Sequence, residues 1–93
     1  MINRVELSKM AEKELEKLPY HILSKLMSWI ERIRKEGWEG TRKIKSFNDE
    51  ALQGKRWGQR SIRLNISYRA IYTIRCDEGN KYIYIEEVNK HEY

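Results

Sequence analysis

The sequence predicts an α+β domain in which a helical hairpin packs on one face of a small, antiparallel-rich sheet, in the order β-α-α-β-β-β. Three observations predict it. Two apolar stripes at helical spacing lie on either side of Pro19, and period-two alternation runs through residues 62–75. A turn cluster, Asp77-Glu78-Gly79-Asn80, then leads into a β-branched and aromatic segment over residues 82–88.

Residues 2–7 alternate apolar and polar positions well enough for one short strand. Ser8 is placed to cap a helix carrying Ala11, Leu15 and Leu18, which runs until Pro19 removes a backbone donor. From Tyr20, the residues Ile22, Leu26, Trp29, Ile30 and Ile33 form a second stripe, and Gly37 stands where that helix should end. Trp29 is read as core, and Trp38 as packing where the second helix stops. Residues 38–59 hold glycines at 40, 54 and 58 without a sustained period, so they read as a long loop with room for a helical turn near residues 48–52. Ile62, Leu64 and Ile66 alternate with Arg63 and Asn65. Tyr68, Ala70, Tyr72 and Ile74 alternate with Arg69, Ile71, Thr73 and Arg75. With residues 82–88 these segments make an antiparallel meander.

Ninety-three residues at 40% hydrophobic content fit one domain over residues 1–93 with a modest core. Neither a charged-then-apolar leader nor a run of about 18 apolar residues is present, so a cytoplasmic protein without a membrane span is expected. Cys76 is the only cysteine, and His21 has no second histidine or acidic pair at ligand spacing. Neither a disulfide framework nor a metal site is expected, and no cofactor is implied. A phosphate-binding glycine loop and a Gly-x-Ser-x-Gly turn are also missing, which sets aside nucleotide hydrolysis and serine esterase chemistry.

Charge is distributed unevenly. Residues 1–40 hold eight Lys/Arg against seven Asp/Glu, residues 41–75 hold nine against two, and residues 76–93 hold two against five. A basic middle segment suits either a solvated surface or a polyanion, and nucleic acid is the polyanion to expect.

Strand periodicity places Arg63 and Asn65 opposite Ile62 and Leu64, and Arg69 opposite Ala70 and Tyr72. If the helices cover the apolar face, both guanidinium groups emerge on the other one. A register slip of one residue would part them.

Cleaving RNA without a metal needs a base for the ribose 2′-hydroxyl, an acid for the departing 5′-oxygen, and cations for the charge growing on phosphate. Arg63 and Arg69 are the best phosphate clamps, since a planar guanidinium donates two hydrogen bonds at once. His91 is the proton-transfer candidate, its unperturbed range lying near neutrality. Lys90 beside it offers a phosphate contact, and Tyr93 a phenol. Lys43, Lys45, Lys55, Arg56 and Arg60 lie in or near the loop, where several cations would follow an RNA backbone. Trp57, between Arg56 and Gly58, is equally suited to stacking on a base and to anchoring the loop.

The run Leu52-Gln53-Gly54-Lys55-Arg56-Trp57-Gly58-Gln59-Arg60-Ser61-Ile62-Arg63-Leu64-Asn65, followed by Tyr68-Arg69-Ala70-Ile71-Tyr72 and by Glu87-Val88-Asn89-Lys90-His91-Glu92-Tyr93, resembles toxins of the RelE/ParE superfamily, especially its HigB-like branch. The resemblance covers residues 50–93 by motif, and the first half agrees in its strand-then-hairpin order. It implies the RelE-like form of the fold and a type II toxin that cuts mRNA in the ribosomal A site. Its expected partners are a cognate antitoxin, mRNA and the ribosome, with operator DNA as a ligand of the toxin–antitoxin complex. Carried over by motif, the Ser-Ile-Arg arginine is Arg63, the Tyr-Arg arginine is Arg69, and the C-terminal position is His91 with Tyr93 as aromatic companion. The alternative within the superfamily is a ParE-type, non-enzymatic toxin that inhibits DNA gyrase. A third reading is a degenerate copy that only binds antitoxin or DNA. His91 together with two exposed arginines favours RNA cleavage.

Overall fold

Pro19 divides the helical half of the chain in the computed structural model, which describes residues 1–90. The assignments made to His91 and Tyr93 therefore lie outside the described residues. Strand β1 (Val5–Leu7) leads into helix α1 (Lys9–Leu15), and helix α2 (Tyr20–Glu36) follows the proline. Ser8 fixes the start of α1 from two sides: its Oγ accepts the Ala11 N–H at 2.9 Å and donates to the Glu86 carbonyl at 2.6 Å. Helix α1 stops at Leu15, earlier than Pro19 requires, and residues 16–18 turn on carbonyls of Glu14 and Leu15.

Gly37 ends α2 at φ +86°, a conformation open mainly to glycine, and an added Cβ there would run into the Met1 side chain. Its N–H caps the Ile33 carbonyl at 2.9 Å, and the next N–H, that of Trp38, bonds to the Ile2 carbonyl at 2.7 Å. The expected long loop is more ordered than its composition suggests. It contains a short helix α3 (Trp38–Thr41), two 3₁₀ turns at Lys45–Phe47 and Gly54–Arg56, and a two-residue strand β2 (Glu50–Ala51). Strand β2 replaces the helical turn expected near residues 48–52, because pairing with the next strand, Glu50 to Ser61 and Ala51 to Arg60, supplies the local hydrogen bonds.

Strands β3 (Arg60–Arg63), β4 (Tyr68–Asp77) and β5 (Asn80–Lys90) form the expected meander. Strand β3 ends at Arg63, three residues before Ile66. The Asn65 side chain accepts the N–H groups of Ser67 and Tyr68, both at 2.7 Å, and this Asx turn leaves Ile66 79% exposed instead of on the covered face. Strand β1 joins the far edge in parallel with β5, giving a mixed five-stranded sheet in the order β1-β5-β4-β3-β2.

One face of the sheet is buried. Ile62, Leu64, Ala70, Tyr72, Ile83, Ile85 and Val88 share a cluster with Ile22, Leu26, Trp29, Ile30 and Ile33 of α2. The Trp29 and Tyr72 rings meet at 5.0 Å between centroids, tilted by 52°. The opposite face carries the polar and charged side chains considered next, and the 3₁₀ turn at Gly54–Arg56 reaches it through the Arg56–Glu87 pair.

Candidate functional site

Arg63 stands directly opposite Arg69 across the β3–β4 ladder, and Arg69 stands opposite Asn89 across the β4–β5 ladder. The next row on the same face runs Glu50, Ser61, Ile71 and Glu87 across four strands. Two like charges set directly opposite each other repel and are mildly destabilising. Neither arginine forms an ion pair among the described residues. Arg63 is exposed, whereas Arg69 is half-buried and its Nε–H is shielded from solvent without an acceptor among the described residues. Leaving such a donor unsatisfied costs roughly 1–3 kcal/mol.

That cleft holds about 110 Å³ and is walled by Asn48, Glu50, Arg63, Asn65, Tyr68 and Arg69. Glu50, Asn48 and Tyr68 were not legible as site residues in the sequence. Glu50 reaches the cleft only through β2, a two-residue strand with no periodic signal, and the alternation around Tyr68 marks a strand and nothing more. On the other side of Arg69, a second cleft of about 330 Å³ is lined by Arg56, Arg69, Glu87, Asn89 and Lys90. Two acidic residues in succession reach this face because of a bulge in β5. Ile71 pairs with Glu87 and Tyr72 with Ile85, so Glu86 is the extra residue. Glu86 accepts from Gln59 at 2.6 Å and from Thr73 at 3.1 Å, and it pairs with Arg75 at 3.4 Å. Glu87 pairs with Arg56 at 3.3 Å and accepts from Asn89 at 2.9 Å.

The remaining cations divide by location. Arg60 is a strand residue, not a loop residue, and it points to the covered side. Its Nε donates to Asp49 at 2.9 Å, the Asp49 carboxylate is fully buried, and the guanidinium lies 5.6 Å from the Trp38 ring. Tyr72 donates to the same carboxylate and accepts from the Trp38 indole at 2.8 Å. Burial first, and then the neighbouring Asp49 carboxylate, raise the Tyr72 pKa well above that of a free tyrosine, so this phenol stays protonated. Arg60 thus closes an internal network. Lys43 and Lys45 are exposed between α3 and β2 and line neither cleft. Lys55 is exposed in the second 3₁₀ turn, and Trp57 beside it is 81% exposed, which removes the loop-anchor reading of that side chain. Lys90 ends β5 opposite Tyr68, with its Nζ 5.9 Å from the phenol ring.

No family sequence model and no curated protein sequence matches this chain. Solved structures do match it. A YoeB/ParE toxin from Agrobacterium tumefaciens superposes with a TM-score of 0.73 at 13% identity, covering 96% of this chain and 99% of that one. An archaeal RelE–RelB complex from Pyrococcus horikoshii matches with a TM-score of 0.70 at 25% identity, covering 97% and 96%. The toxin–antitoxin complex RelBE2 from Mycobacterium tuberculosis matches at 0.68 and 21% identity, covering 98% and 100%. Over nearly its full length the chain has the fold of these RelE-like and ParE-like toxins.

Proposed function

We propose that this protein is the toxin of a type II toxin–antitoxin pair and acts as a metal-independent endoribonuclease on mRNA, on the translating ribosome. The observation that carries the reading is the Arg63–Arg69 pair facing across one ladder, beside a carboxylate and with the Arg69 Nε–H unmet. Two guanidinium groups set side by side match the oxygens of one phosphodiester and gain strength as charge builds on it.

In the reaction the ribose 2′-oxygen attacks the adjacent phosphorus and the P–O5′ bond breaks, leaving a 2′,3′-cyclic phosphate and a 5′-hydroxyl. Glu50 offers its carboxylate to the 2′-hydroxyl proton, and His91, next in sequence after Lys90, supplies a proton to the leaving 5′-oxygen. Tyr93, two residues further along the sequence, is assigned a phenol for stacking or proton transfer. Exposed cations outside the first cleft, Lys55 among them, hold flanking RNA by charge, which makes binding sensitive to salt. The Asn89-Lys90-His91 ending favours the HigB-like branch of the superfamily.

Two of the compared structures are complexes of a toxin with its antitoxin, which supports a cognate antitoxin as the partner here. Operator DNA is the ligand proposed for that complex. No helix among the described residues is long and apolar enough to cross a membrane, in keeping with a cytoplasmic site of action.

The test is translation of a defined mRNA in a purified ribosomal system, with 5′ ends mapped for the wild type and for His91→Ala. Cuts at ribosome-occupied codons that vanish in the variant support the reading. Intact mRNA, from a protein that still arrests growth, turns the assignment to the gyrase-inhibiting alternative, which a supercoiling assay then examines.

A further inference from the structure

Arg69 is a wall of two clefts, and the reacting phosphodiester occupies only the first. The second cleft brings together three cations, Arg56, Arg69 and Lys90, with the Glu87 carboxylate and the Asn89 amide. Its charge balance therefore favours an anion. The Arg56–Glu87 contact is a single one at 3.3 Å, with the Arg56 side chain 41% exposed. Charge-assisted pairs that are firmly held sit at about 2.7–2.9 Å. The contrast within this molecule is the Arg60–Asp49 pair, at 2.9 Å on a fully buried carboxylate. Arg60 is committed to the fold; Arg56 is anchored through one nitrogen, which donates to Gln59 at 2.9 Å, while its other nitrogen meets Glu87 only at 3.3 Å, a contact that an incoming anion can replace.

Geometry connects the two clefts. Arg63 flanks Arg69 on the β3 side and Asn89 flanks it on the β5 side, so the outer strands of this trio lie roughly 10 Å apart, two strand spacings. The two clefts share Arg69 as a common wall, so phosphates seated in them lie closer together than the outer strands do. We propose that the cleft of Arg56, Glu87, Asn89 and Lys90 is a second phosphate subsite, which takes the phosphate next to the scissile one, and that Glu87 occupies Arg56 until that phosphate displaces it. The proposal rests on the RNA reading of the first cleft. Glu87 then acts as a placeholder: it lowers the affinity of the subsite and keeps Arg56 oriented toward the cleft when RNA is absent.

The experiment compares binding of a non-cleavable 2′-fluoro dinucleotide, which has one phosphodiester, with that of the trinucleotide, which has two, over a range of KCl concentrations. In the wild type the trinucleotide binds about tenfold more tightly, the gain of one charge-assisted contact. Its plot of log K against log salt is steeper by roughly 0.7. Arg56→Ala brings the affinity ratio of the two probes close to one and removes the extra slope. Glu87→Gln raises the ratio several-fold, since the amide no longer competes for Arg56. A ratio unchanged in Arg56→Ala, or one that fails to rise in Glu87→Gln, overturns the proposal. If neither oligonucleotide binds, the RNA reading fails on its own, and inorganic phosphate decides the subsite through the arginine Nε–Hε resonances. Shifts of Arg56 and Arg69 that saturate earlier in Glu87→Gln uphold an anion site, and their absence removes it.

Discussion

Arg63 and Arg69 are direct cross-strand partners, two cations held side by side by backbone pairing and not by any carboxylate among the described residues. On the proposed reading, their positions serve a ligand at some cost to the free protein. Arg69→Ala and Arg63→Ala are each expected to lower RNA cleavage by roughly 10²- to 10³-fold, the usual loss when one preorganised donor to a developing charge is removed. Thermal melting should be unchanged or slightly higher, because each substitution relieves a like-charge pair. Full cleavage in both variants, measured on a single RNA under single-turnover conditions, would remove the phosphate-clamp assignment.

Arg60 differs in kind, although the sequence makes it look like one more loop cation. Its partner Asp49 is fully buried and shared with Tyr72, so removing the guanidinium leaves a carboxylate without its counter-charge. Arg60→Ala should destabilise the fold by about 3 kcal/mol, the lower end for breaking a buried pair, since Arg60 itself retains some exposure. Urea unfolding checks this, and a midpoint equal to wild type would refute it.

Tyr72 gives the same network a pH signature. Its folded pKa is raised, by burial first and by Asp49 next, above the value of about 10 for an unfolded tyrosine. The folded state therefore keeps a proton that the unfolded chain releases. This contribution is fully present below about pH 10 and is lost as pH rises through the folded value. Wild-type stability should fall more steeply above pH 10 than that of Tyr72→Phe, which has no phenol to ionise. Parallel profiles from denaturant titrations between pH 8 and 11 would contradict the assignment.

How far the sequence revealed the fold can be judged from β5. Its aromatic and β-branched content marked a strand, but the covered positions Ile83, Ile85 and Val88 step by two and then by three. That break in phase is the bulge at Glu86, and period-two reading passes over it. The Arg63–Arg69 pairing was legible because alternation on both strands fixed their faces and a tight connection fixed their register. Glu50, Glu86 and Glu87 were not, since their places depend on an edge strand of two residues and on the bulge. Past the end of β1, strand β5 leans on α1 instead: the Val88 N–H donates to the Glu14 carboxylate at 2.7 Å. Glu14→Ala should cost about 1–3 kcal/mol, the penalty of leaving a shielded N–H unmet. Hydrogen exchange should show the Val88 amide opening faster than its neighbours in β5, and uniform protection along the strand would exclude this role.

Trp57 offers the most direct optical test of where RNA lies. A tryptophan that is 81% exposed, between Arg56 and Gly58 in a turn that also carries Lys55, buries little when the protein folds. Its removal should therefore leave the melting temperature within about a degree, a surface substitution being worth no more than roughly 0.5 kcal/mol. Stacking on a base is worth about 1–3 kcal/mol, so Trp57→Ala should weaken binding of a non-cleavable oligonucleotide by roughly 5- to 150-fold. The indole emission of the wild type should be quenched on binding. Trp29 and Trp38 supply a constant background, since one is buried in the core and the other is bonded to Tyr72. Equal affinity in Trp57→Ala with no quenching in the wild type would place the RNA away from the Trp57 side chain.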